Sequence, residues 1–498
     1  MKWWKIFLAV MVLSLACGTA FAAPSVKLSY STFTITEGVN DDILAQVKAE
    51  MGKVQHAEQL GFVLRKITND DLAKLCAAYP EMRALTIDDS KELTSIAPVA
   101  GLKGLRYMAL RGFFNKIADA TPLAGLTELL HLELASKELG PDLKWMSGMT
   151  KLTKIKIEAG PKLTSFEGIP ALPKLSEVII KKAAPADLAP LQALPGLKTV
   201  DLMDCTIADL APLAKLPELE DLSLHGAAVK DFSPLAACPK LKKVTYTEIK
   251  NADYNTLGTL TQVQELRGGG TKMTDISWVA NLPNLKTFNL GSELVEDFSP
   301  LAKTKVENFD LTGMKTMSVD LASLAGATSM TRLRMWGTVD TKGFEALGTL
   351  VNLKELYFDG VNEREGVIID LAFAKSLASV EQLELIKGSF ANTKALAGFS
   401  RLTRLKIDTA KGEPFDLAFL AKNPDLTTLI INNSAIANIE GAASCQKLKE
   451  VTLTKVTGVK SLAFLKKLPA LKTVTVSKGA FPEAELSGFG EKVKINQR

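Results

Sequence analysis

The strongest constraint on the fold is an apolar pattern that repeats about every 22 or 23 residues. The pattern is L-x-x-L-x-L, where L stands for any apolar residue, and it recurs 18 times with centres 21 to 27 residues apart. Clear copies centre on Met108, Leu132, Ile155, Val178, Val200, Leu222, Val244, Phe288, Leu405, Leu429, Val451 and Val474, and weaker copies on Leu85, Leu266, Phe309, Leu333, Leu356 and Leu383. A fixed period of this length is the signature of a chain built from stacked structural repeats.

The period also dictates how each repeat is built. Alternating apolar residues favour a short strand with one buried face. One strand per 22 residues leaves no room for a full crossover helix, so each repeat has to be a flat coil that stacks on its neighbours. The chain has 498 residues, which would suggest three domains of about 150 residues each. We predict one α/β solenoid of parallel strands over residues 81–480 instead.

A second motif, I-x-D-L-x-P-L, follows several of the predicted strands. It occupies residues 117–123, 207–213, 229–235 and 295–301. With this motif the sequence resembles the leucine-rich repeat superfamily, and within it the 22-residue repeats of bacterial internalins. The resemblance implies an arc with one parallel strand per 22–24-residue turn on the concave face. It also implies short turns or helices on the convex face.

The sequence departs from this family at one position of the repeat. The third residue after the strand is usually asparagine in the family, but here it is Cys205, Ala227, Ile249 or Ser434. We therefore expect the buried asparagine ladder of the family to be missing.

The two ends of the chain differ from the central repeats. Residues 23–80 contain two β–α units offset by 29 residues, with Phe33 matching Phe62 and with Asn40 and Asn69 in helix-capping positions. Residues 67–87 resemble the longer cysteine-containing repeat class, with Cys76 at its mark. We predict that these units cap the N-terminal end, and that residues 481–498 form a C-terminal cap with a last strand at 493–495.

The first 22 residues have the pattern of a signal peptide. Lys2 and Lys5 precede an apolar stretch over 6–16, and Ala20-Phe21-Ala22 offers a small-x-small cleavage site. A lipoprotein signal at Cys17 is the alternative, although Ser14 stands where that pattern usually has Leu or Val. No later apolar stretch is long enough to span a membrane. We expect an exported bacterial protein, periplasmic or secreted, without an integral membrane segment.

The four cysteines beyond the signal region are Cys76, Cys205, Cys238 and Cys445. Cys238 and Cys445 occupy the same position of the coil but lie nine repeats apart, and Cys205 falls on the other side of the coil. Bridging needs Cα atoms within about 7 Å. We therefore predict four free thiols that fill core positions.

Charge and composition exclude several functions. The net charge of +5 is weak, and the outward strand positions interleave 14 Lys or Arg with 16 Asp or Glu. A nucleic-acid binder needs a stripe of one sign, so we expect no nucleic-acid partner. The chain has three histidines and no recognisable nucleophile, phosphate-binding or zinc motif. We therefore expect no catalytic site and no cofactor.

Two histidines could be considered for metal binding. His131 lies two residues from Glu133 on one strand face, and His225 would lie near Asp201 and Asp221 if the strands are in register. A single histidine with scattered carboxylates is a poor ligand set. We therefore predict that both are ordinary surface residues and that there is no metal site.

Two groups of outward residues are candidates for a binding site, because aromatic and arginine side chains are enriched at binding hot spots. The alternative is that these aromatic rings merely cover neighbouring aliphatic stems. The leading candidate group consists of Trp336, Tyr357, Arg332, Arg334, Glu355 and Asp359. A weaker group consists of Tyr107, Arg111 and His131.

Together these features predict a non-enzymatic exported recognition protein. The family resemblance implies a protein partner bound on the concave face of the solenoid. One alternative is an internalin-like adhesin for host surfaces, although the wall anchor and accessory domains of internalins are not found. Another is a glycan-binding or glycan-acting protein, which would need a deep pocket with convergent acids.

Overall fold

A computed structural model describes residues 25–112, 116–249, 251–270, 272–292, 294–312, 318–337, 339–361 and 367–498. The predicted signal peptide over 1–22, including Cys17, lies outside the described residues. The chain divides into two compact units, Met1–Leu175 and Ser176–Arg498. The repeat period does not mark this division, because it runs through the boundary without a change in spacing.

The described residues of the first unit form seven strands: β1 Ser25–Ser29, β2 Thr32–Thr36, β3 Gly61–Arg65, β4 Ala84–Asp88, β5 Tyr107–Leu110, β6 His131–Ser136 and β7 Lys154–Ala159. Strands β2 to β7 pair in parallel and in chain order. Strand β1 pairs antiparallel with β2, and the sequence did not predict it. The helices are α1 Asp41–Glu50 and α2 Asn69–Ala78, with 3-10 helices at Met51–Lys53, Ala57–Gln59, Ala97–Gly101, Thr121–Leu123 and Lys144–Met146.

The two β–α elements at the start of this unit form where the 29-residue offset predicts them. Phe33 of β2 lies opposite Phe62 of β3, and their rings stack with centroids 5.5 Å apart. Asn40 caps α1 by accepting a hydrogen bond from the backbone of Ile43 at 2.9 Å. The buried aromatic pair thus fits the register between β2 and β3.

The predicted cap at Asn69 is wrong by one residue. Thr68 caps α2, because its hydroxyl accepts from the backbone of Asp71 while the Asp71 carboxylate accepts from the backbone of Thr68. This reciprocal capping box satisfies two backbone donors at once, which asparagine at the next position cannot do. Asn69 instead bonds outside the helix, donating to the hydroxyl of Thr94 at 2.8 Å.

The second unit has a main sheet of parallel strands, 15 of which follow one another in chain order. They are β8 Glu177–Lys181, β9 Thr199–Met203, β10 Asp221–His225, β11 Lys243–Thr247, β12 Glu265–Gly269, β13 Thr287–Leu290, β14 Asn308–Thr312, β16 Arg332–Trp336, β18 Glu355–Asp359, β20 Gln382–Ala391, β21 Arg404–Gly412, β23 Thr428–Asn432, β25 Glu450–Thr454, β26 Thr473–Val476 and β27 Lys494–Gln497. The last of these pairs with β26 close to the predicted position of a final strand.

Shorter elements complete the coils of this unit. Five short strands form beside the main ones: β15 Ser318–Asp320, β17 Val339–Lys342, β19 Ile368–Asp370, β22 Phe415–Asp416 and β24 Ile436–Ala437. Helix α3 spans Glu483–Ser487. The 3-10 helices are Ala189–Ala193, Ala211–Lys215, Ser233–Ala237, Tyr254–Thr259, Ser277–Asn281, Ser299–Lys303, Leu321–Leu324, Phe344–Thr349, Leu371–Ser376, Thr393–Gly398, Ala418–Lys422, Ile439–Ser444 and Ala463–Leu465.

The core of each unit is the stack of apolar residues from successive coils. All 18 predicted repeat centres lie in strands, and every one of them is buried. The return segments are mostly 3-10 helices, several of which have proline as their second residue, such as Pro212. Proline suits the first turn because its missing N–H would have no helical partner there. The α/β solenoid prediction is therefore confirmed within each unit.

The position that carries asparagine in the family is filled in several different ways. The thiol of Cys205 lies 3.4 Å from the carbonyl of Ile180. The hydroxyl of Ser434 donates to the carbonyl of Asn432 at 2.7 Å and accepts from the backbone of Ala410 at 3.1 Å. Short polar side chains at this position thus bond to the preceding coil, in places where the sequence has no asparagine.

The four described cysteines are free and buried, which confirms the thiol prediction. Cys238 and Cys445 each follow a 3-10 helix, and their thiols lie 3.3 Å and 3.5 Å from carbonyls one repeat earlier. Burial raises the pKa of Cys238 to about 11 and that of Cys445 to about 12. These thiols are therefore protonated, unreactive core groups rather than nucleophiles.

Candidate functional site

The leading candidate residues lie on the outward face of the second unit, where side chains alternate with those that enter the core. Arg332, Arg334 and Trp336 project from β16, and Glu355, Tyr357 and Asp359 project from the neighbouring strand β18. We call these six residues the aromatic cluster. The register places Trp336 opposite Asp359 and Tyr357 opposite Arg334, so the two aromatic residues are diagonal neighbours.

Tyr357 is half-buried and already has several partners. Its hydroxyl lies 2.9 Å from a carboxylate oxygen of Glu355 and 3.0 Å from the side-chain carbonyl of Gln382. Burial, reinforced by the hydrogen bond to Glu355, raises the pKa of Tyr357. The guanidinium of Arg332 lies 5.6 Å from the centroid of the Tyr357 ring, a cation–π distance. These contacts hold the ring in one orientation.

The two arginines of the aromatic cluster have different roles. Arg332 lies within 3.8 Å of Asp310 and within 3.5 Å of Glu355, so its charge is balanced on both sides. Arg334 is exposed and has no ion pair among the described residues. Trp336 is also exposed, with 52% of its surface accessible. Arg334 and Trp336 are therefore the groups of this cluster that are available to a partner.

A shallow hollow of about 210 Å³ adjoins the cluster. It is smaller than the 300–1,000 Å³ typical of small-molecule pockets. A hollow of this size suits one inserted side chain better than a substrate. It is lined by Arg332, Arg334, Tyr357, Phe358, Asp359, Glu384 and Ile386.

The weaker candidate group, Tyr107, Arg111 and His131, is brought together in the first unit. The ring centroids of Tyr107 and His131 lie 4.8 Å apart. The guanidinium of Arg111 donates a hydrogen bond to the Tyr107 hydroxyl at 2.9 Å. Arg111 also donates to Glu133 at 3.0 Å, and Lys156 donates to the other oxygen of the same carboxylate. We call these five residues the Glu133 network.

The electrostatics of the Glu133 network are those of an internal ion cluster. The Glu133 side chain is only 10% exposed. Burial opposes its ionisation, but Lys156 and Arg111 lower the pKa of Glu133 below its usual value. Burial raises the pKa of the neighbouring Asp88, although Arg111 and Arg65 partly offset this effect. The network therefore satisfies itself and leaves little for a partner to contact.

The two histidines considered for metal binding, His131 and His225, have few potential ligands around them. In the part of the chain that the structure describes, no group of three or more His, Cys, Asp or Glu residues could hold a metal ion. His225 lies 2.6 Å from the hydroxyl of Thr247 and 3.5 Å from a carboxylate oxygen of Asp204. The register places Asp201 opposite Ser223 and Met203 opposite His225.

A second hollow on the outward face of the second unit was missed by the sequence reasoning. Its volume is about 490 Å³. Signals were present in the sequence, because outward positions of β23, β25 and β26 carry Thr or Asn repeatedly and basic residues stand nearby. We call it the cationic hollow, and it is lined by Arg404, Lys406, Asp408, Ile430, Asn432, Thr452, Thr454, Lys455, Ser477 and Arg498.

Comparisons with known proteins agree with this architecture. No family model matches the chain, and no curated protein matches it either. Among solved structures, the Toll–Spatzle complex of Drosophila resembles it with a TM-score of 0.53 at 14% identity, covering 91% of this chain and 64% of that one. The chain has the leucine-rich repeat fold.

Two bacterial proteins with leucine-rich repeats also resemble this chain. An internalin from Listeria monocytogenes is 19% identical with a TM-score of 0.43, covering 76% of this chain and 86% of that one. A leucine-rich repeat protein of Leptospira interrogans is 13% identical with a TM-score of 0.45, covering 92% of each chain. Within the described residues, no helix has the length and apolar character needed to cross a bilayer.

Proposed function

We propose that this leucine-rich repeat protein is a non-enzymatic recognition protein that binds a protein partner through the outward face of its second unit. The observation that carries the proposal is an exposed tryptophan, Trp336, beside an arginine without an ion pair, Arg334. Tryptophan and arginine are enriched at interface hot spots, where burial of one large side chain contributes much of the affinity.

The rest of the aromatic cluster acts as a support for these two residues. Tyr357 and Arg332 are fixed by their contacts with Glu355 and Gln382. The strand positions the cluster more precisely than a loop would. A side chain that is already ordered loses little conformational entropy on binding. Trp336 is therefore the expected anchor, and Tyr357 forms the wall against which the partner packs.

The size of the cluster indicates that the partner extends beyond it. Four strand steps from β14 to β21, at about 4.8 Å each, and strands of about 17 Å give roughly 330 Å² of sheet. A stable protein interface needs about 800 Å² from each partner. The remaining contact area has to come from neighbouring strands of the same unit.

The proposed location is outside the cytoplasm, in the periplasm or beyond it. Support comes from the signal-peptide pattern at 1–22. Fractionation separates the two sites of action, since a periplasmic receptor is released by osmotic shock, whereas an adhesin is found on the cell surface or in the medium. Recovery in the cytoplasmic fraction alone would contradict this part of the proposal.

The binding experiment compares three forms of the mature chain over 23–498. Partners captured by the wild type are titrated against Trp336→Ala and against Ile368→Ala, a control residue of β19 that is 59% exposed. We expect Trp336→Ala to weaken binding about 30-fold, equivalent to about 2 kcal/mol. The control should bind as the wild type does. Equal affinities for all three forms would show that the partner does not use this cluster.

A further inference from the structure

We propose that the cationic hollow binds an acidic polypeptide segment, extended and with several carboxylate side chains. The inference rests on the proposed function, because the segment would belong to the protein partner. It adds a second contact with its own chemistry, which neither the repeat pattern nor the fold resemblance assigns.

The first argument is the balance of charge in the hollow. Lys406, Lys455 and Arg498 have no ion-pair partner among the described residues. Arg404 is already held by Glu384 at 2.9 Å. Lys406 and Lys455 alone exceed the one acidic side chain of the lining, that of Asp408. An excess of one sign in a concave, partly desolvated surface favours a ligand of the opposite sign.

The Asp408 carboxylate is itself engaged, and its bonds organise the floor of the hollow. Asn432 donates its side-chain amide to Asp408 at 3.1 Å, and the Thr454 hydroxyl donates to the carbonyl of the same amide. The hydroxyl of Ser477 accepts from the backbone of Lys455 at 2.6 Å. The free groups that remain around this floor are mainly the donors on the lysine and arginine side chains, so a matching ligand has to be rich in acceptors.

The spacing of the cations favours an extended chain over a compact anion. Lys406 lies on β21, and Lys455 follows β25, two strands further on. Two strand steps and three residues along the strand place their Cα atoms about 14 Å apart. Residues i and i+4 of an extended peptide are separated by nearly the same distance, about 13.5 Å. The two lysines, at this backbone spacing, therefore suit two separate carboxylates of one segment.

The location of the hollow agrees with use by the same partner. Its volume of about 490 Å³ can hold several side chains. Lys406 lies two strand steps from Tyr357, or roughly 10 Å across the sheet. One partner could therefore fill both places, and the combined surface approaches the area that a stable interface needs.

The test uses a fluorescein-labelled decapeptide of alternating Glu and Ser, titrated by anisotropy at constant low salt. The variant is Lys406→Gln with Lys455→Gln. The matched control is Lys422→Gln with Lys467→Gln, which removes the same charge from two exposed lysines of the second unit outside the hollow. We expect at least a tenfold loss of peptide affinity in the hollow variant and less than a twofold loss in the control.

Several outcomes would overturn the inference. Equal losses in both variants would mean that the peptide responds to overall charge rather than to a site. Absence of binding by the wild type at millimolar peptide would reject the site directly. A sulfated polysaccharide can also be used as a competitor of the peptide. If it binds more tightly than the peptide, and if its binding depends on Lys406 and Lys455, the ligand of the hollow is a glycan rather than a polypeptide.

The same peptide separates this inference from the proposed function. Trp336→Ala should leave peptide affinity unchanged, because the aromatic cluster is outside the hollow. If the peptide fails to bind while partner capture still depends on Trp336, only the hollow is misassigned. If the peptide binds and partner capture ignores Trp336, the aromatic anchor is wrong and the hollow stands.

Discussion

The Glu133 network of the first unit and the aromatic cluster of the second use the same kinds of residues with opposite results. Each combines an aromatic ring, arginine and carboxylate on neighbouring outward strand positions. In the first, Arg111 and Lys156 both bind Glu133, and Tyr107 accepts from Arg111. In the second, Arg334 and Trp336 have exposed side chains, and Arg334 has no ion pair among the described residues.

The difference shows that the composition of a sheet face does not identify a binding surface. Charges that are satisfied and partly buried contribute to folding and cannot be offered to a partner without breaking their bonds. Groups that remain exposed contribute little to folding, and under the proposed function their role is contact with another molecule. The two regions differ in whether their charged side chains already form bonds within the chain, and not in the types of residue that they contain.

The largest expected effect is on the Glu133 network. Glu133→Ala would leave Arg111 and Lys156 partly buried without their shared carboxylate. We expect the free energy of unfolding to fall by about 3 kcal/mol, the loss typical of a broken buried ion pair. Urea denaturation of the wild type, Glu133→Ala and the exposed control Glu92→Ala measures it. If the urea midpoint of Glu133→Ala equals that of the control, the Glu133 network does not contribute to stability.

The next effect separates the two aromatic residues of the cluster. Tyr357→Ala should lower the free energy of unfolding by about 2 kcal/mol, because it removes partnered hydroxyl bonds and the cation–π contact with Arg332. Trp336→Ala should change it by less than about 0.5 kcal/mol, as exposed substitutions usually do. Thermal unfolding of both variants makes the comparison. A large loss of stability for Trp336→Ala would show that this ring is part of the core packing.

A third prediction concerns pH. The folded-state pKa of Glu133 lies below its ordinary value because burial is outweighed by Lys156 and Arg111. The carboxylate of Glu133 therefore binds a proton less readily in the folded protein than in the unfolded chain, where the pKa of a glutamate is about 4.3. The stabilisation is present above that pH and is lost as the pH falls through the folded-state pKa.

The measurement for this prediction is the difference in urea midpoint between the wild type and Glu133→Gln. We expect a clear difference at pH 7 that shrinks steadily in buffers below about pH 4. Asp88, whose pKa is raised by burial, works in the opposite direction and is present in both proteins. A difference that stays constant from pH 7 to pH 3 would mean that the pKa of Glu133 is the same in the folded and the unfolded chain.

The smallest expected effect tests one hydrogen bond in the first unit. Tyr107→Phe removes the hydroxyl that accepts from Arg111 at 2.9 Å but keeps the ring against His131. We expect a loss of about 1 kcal/mol in the free energy of unfolding, the usual value for one hydrogen bond. A double-mutant cycle with Glu133→Gln shows whether the two bonds are coupled, as a single network requires. Strictly additive losses would divide the network into independent contacts.

The repeat structure could be predicted because its causes are local. Alternation of apolar residues determines which side of a strand is buried, and the 22-residue period determines that the strands stack. All 18 repeat strands and the four buried thiols therefore follow from the sequence. The short strand pairs such as β15 with β17 were missed, because segments of two to four residues carry no period of their own.

Some core features become visible only when neighbouring coils are stacked. Gly268 occupies a strand position where the pattern expects a large apolar residue, and the register places it opposite Tyr246. A Cβ atom at Gly268 would lie 2.5 Å from the Tyr246 ring. The glycine therefore makes room for the tyrosine of the preceding coil. The sequence shows both residues, but only their register shows that one requires the other.

The sequence by itself thus determined the strands, the core and the outward face, since each depends on spacing within one repeat. Only the tertiary structure decided which outward groups are free. Arg332 and Arg334 are equivalent in the pattern, and Arg334 is even in register with Asp310, yet Arg332 makes the diagonal contact with that carboxylate. The reason is physical, because ion pairing depends on side-chain reach across strands that are 20 or more residues apart in the chain.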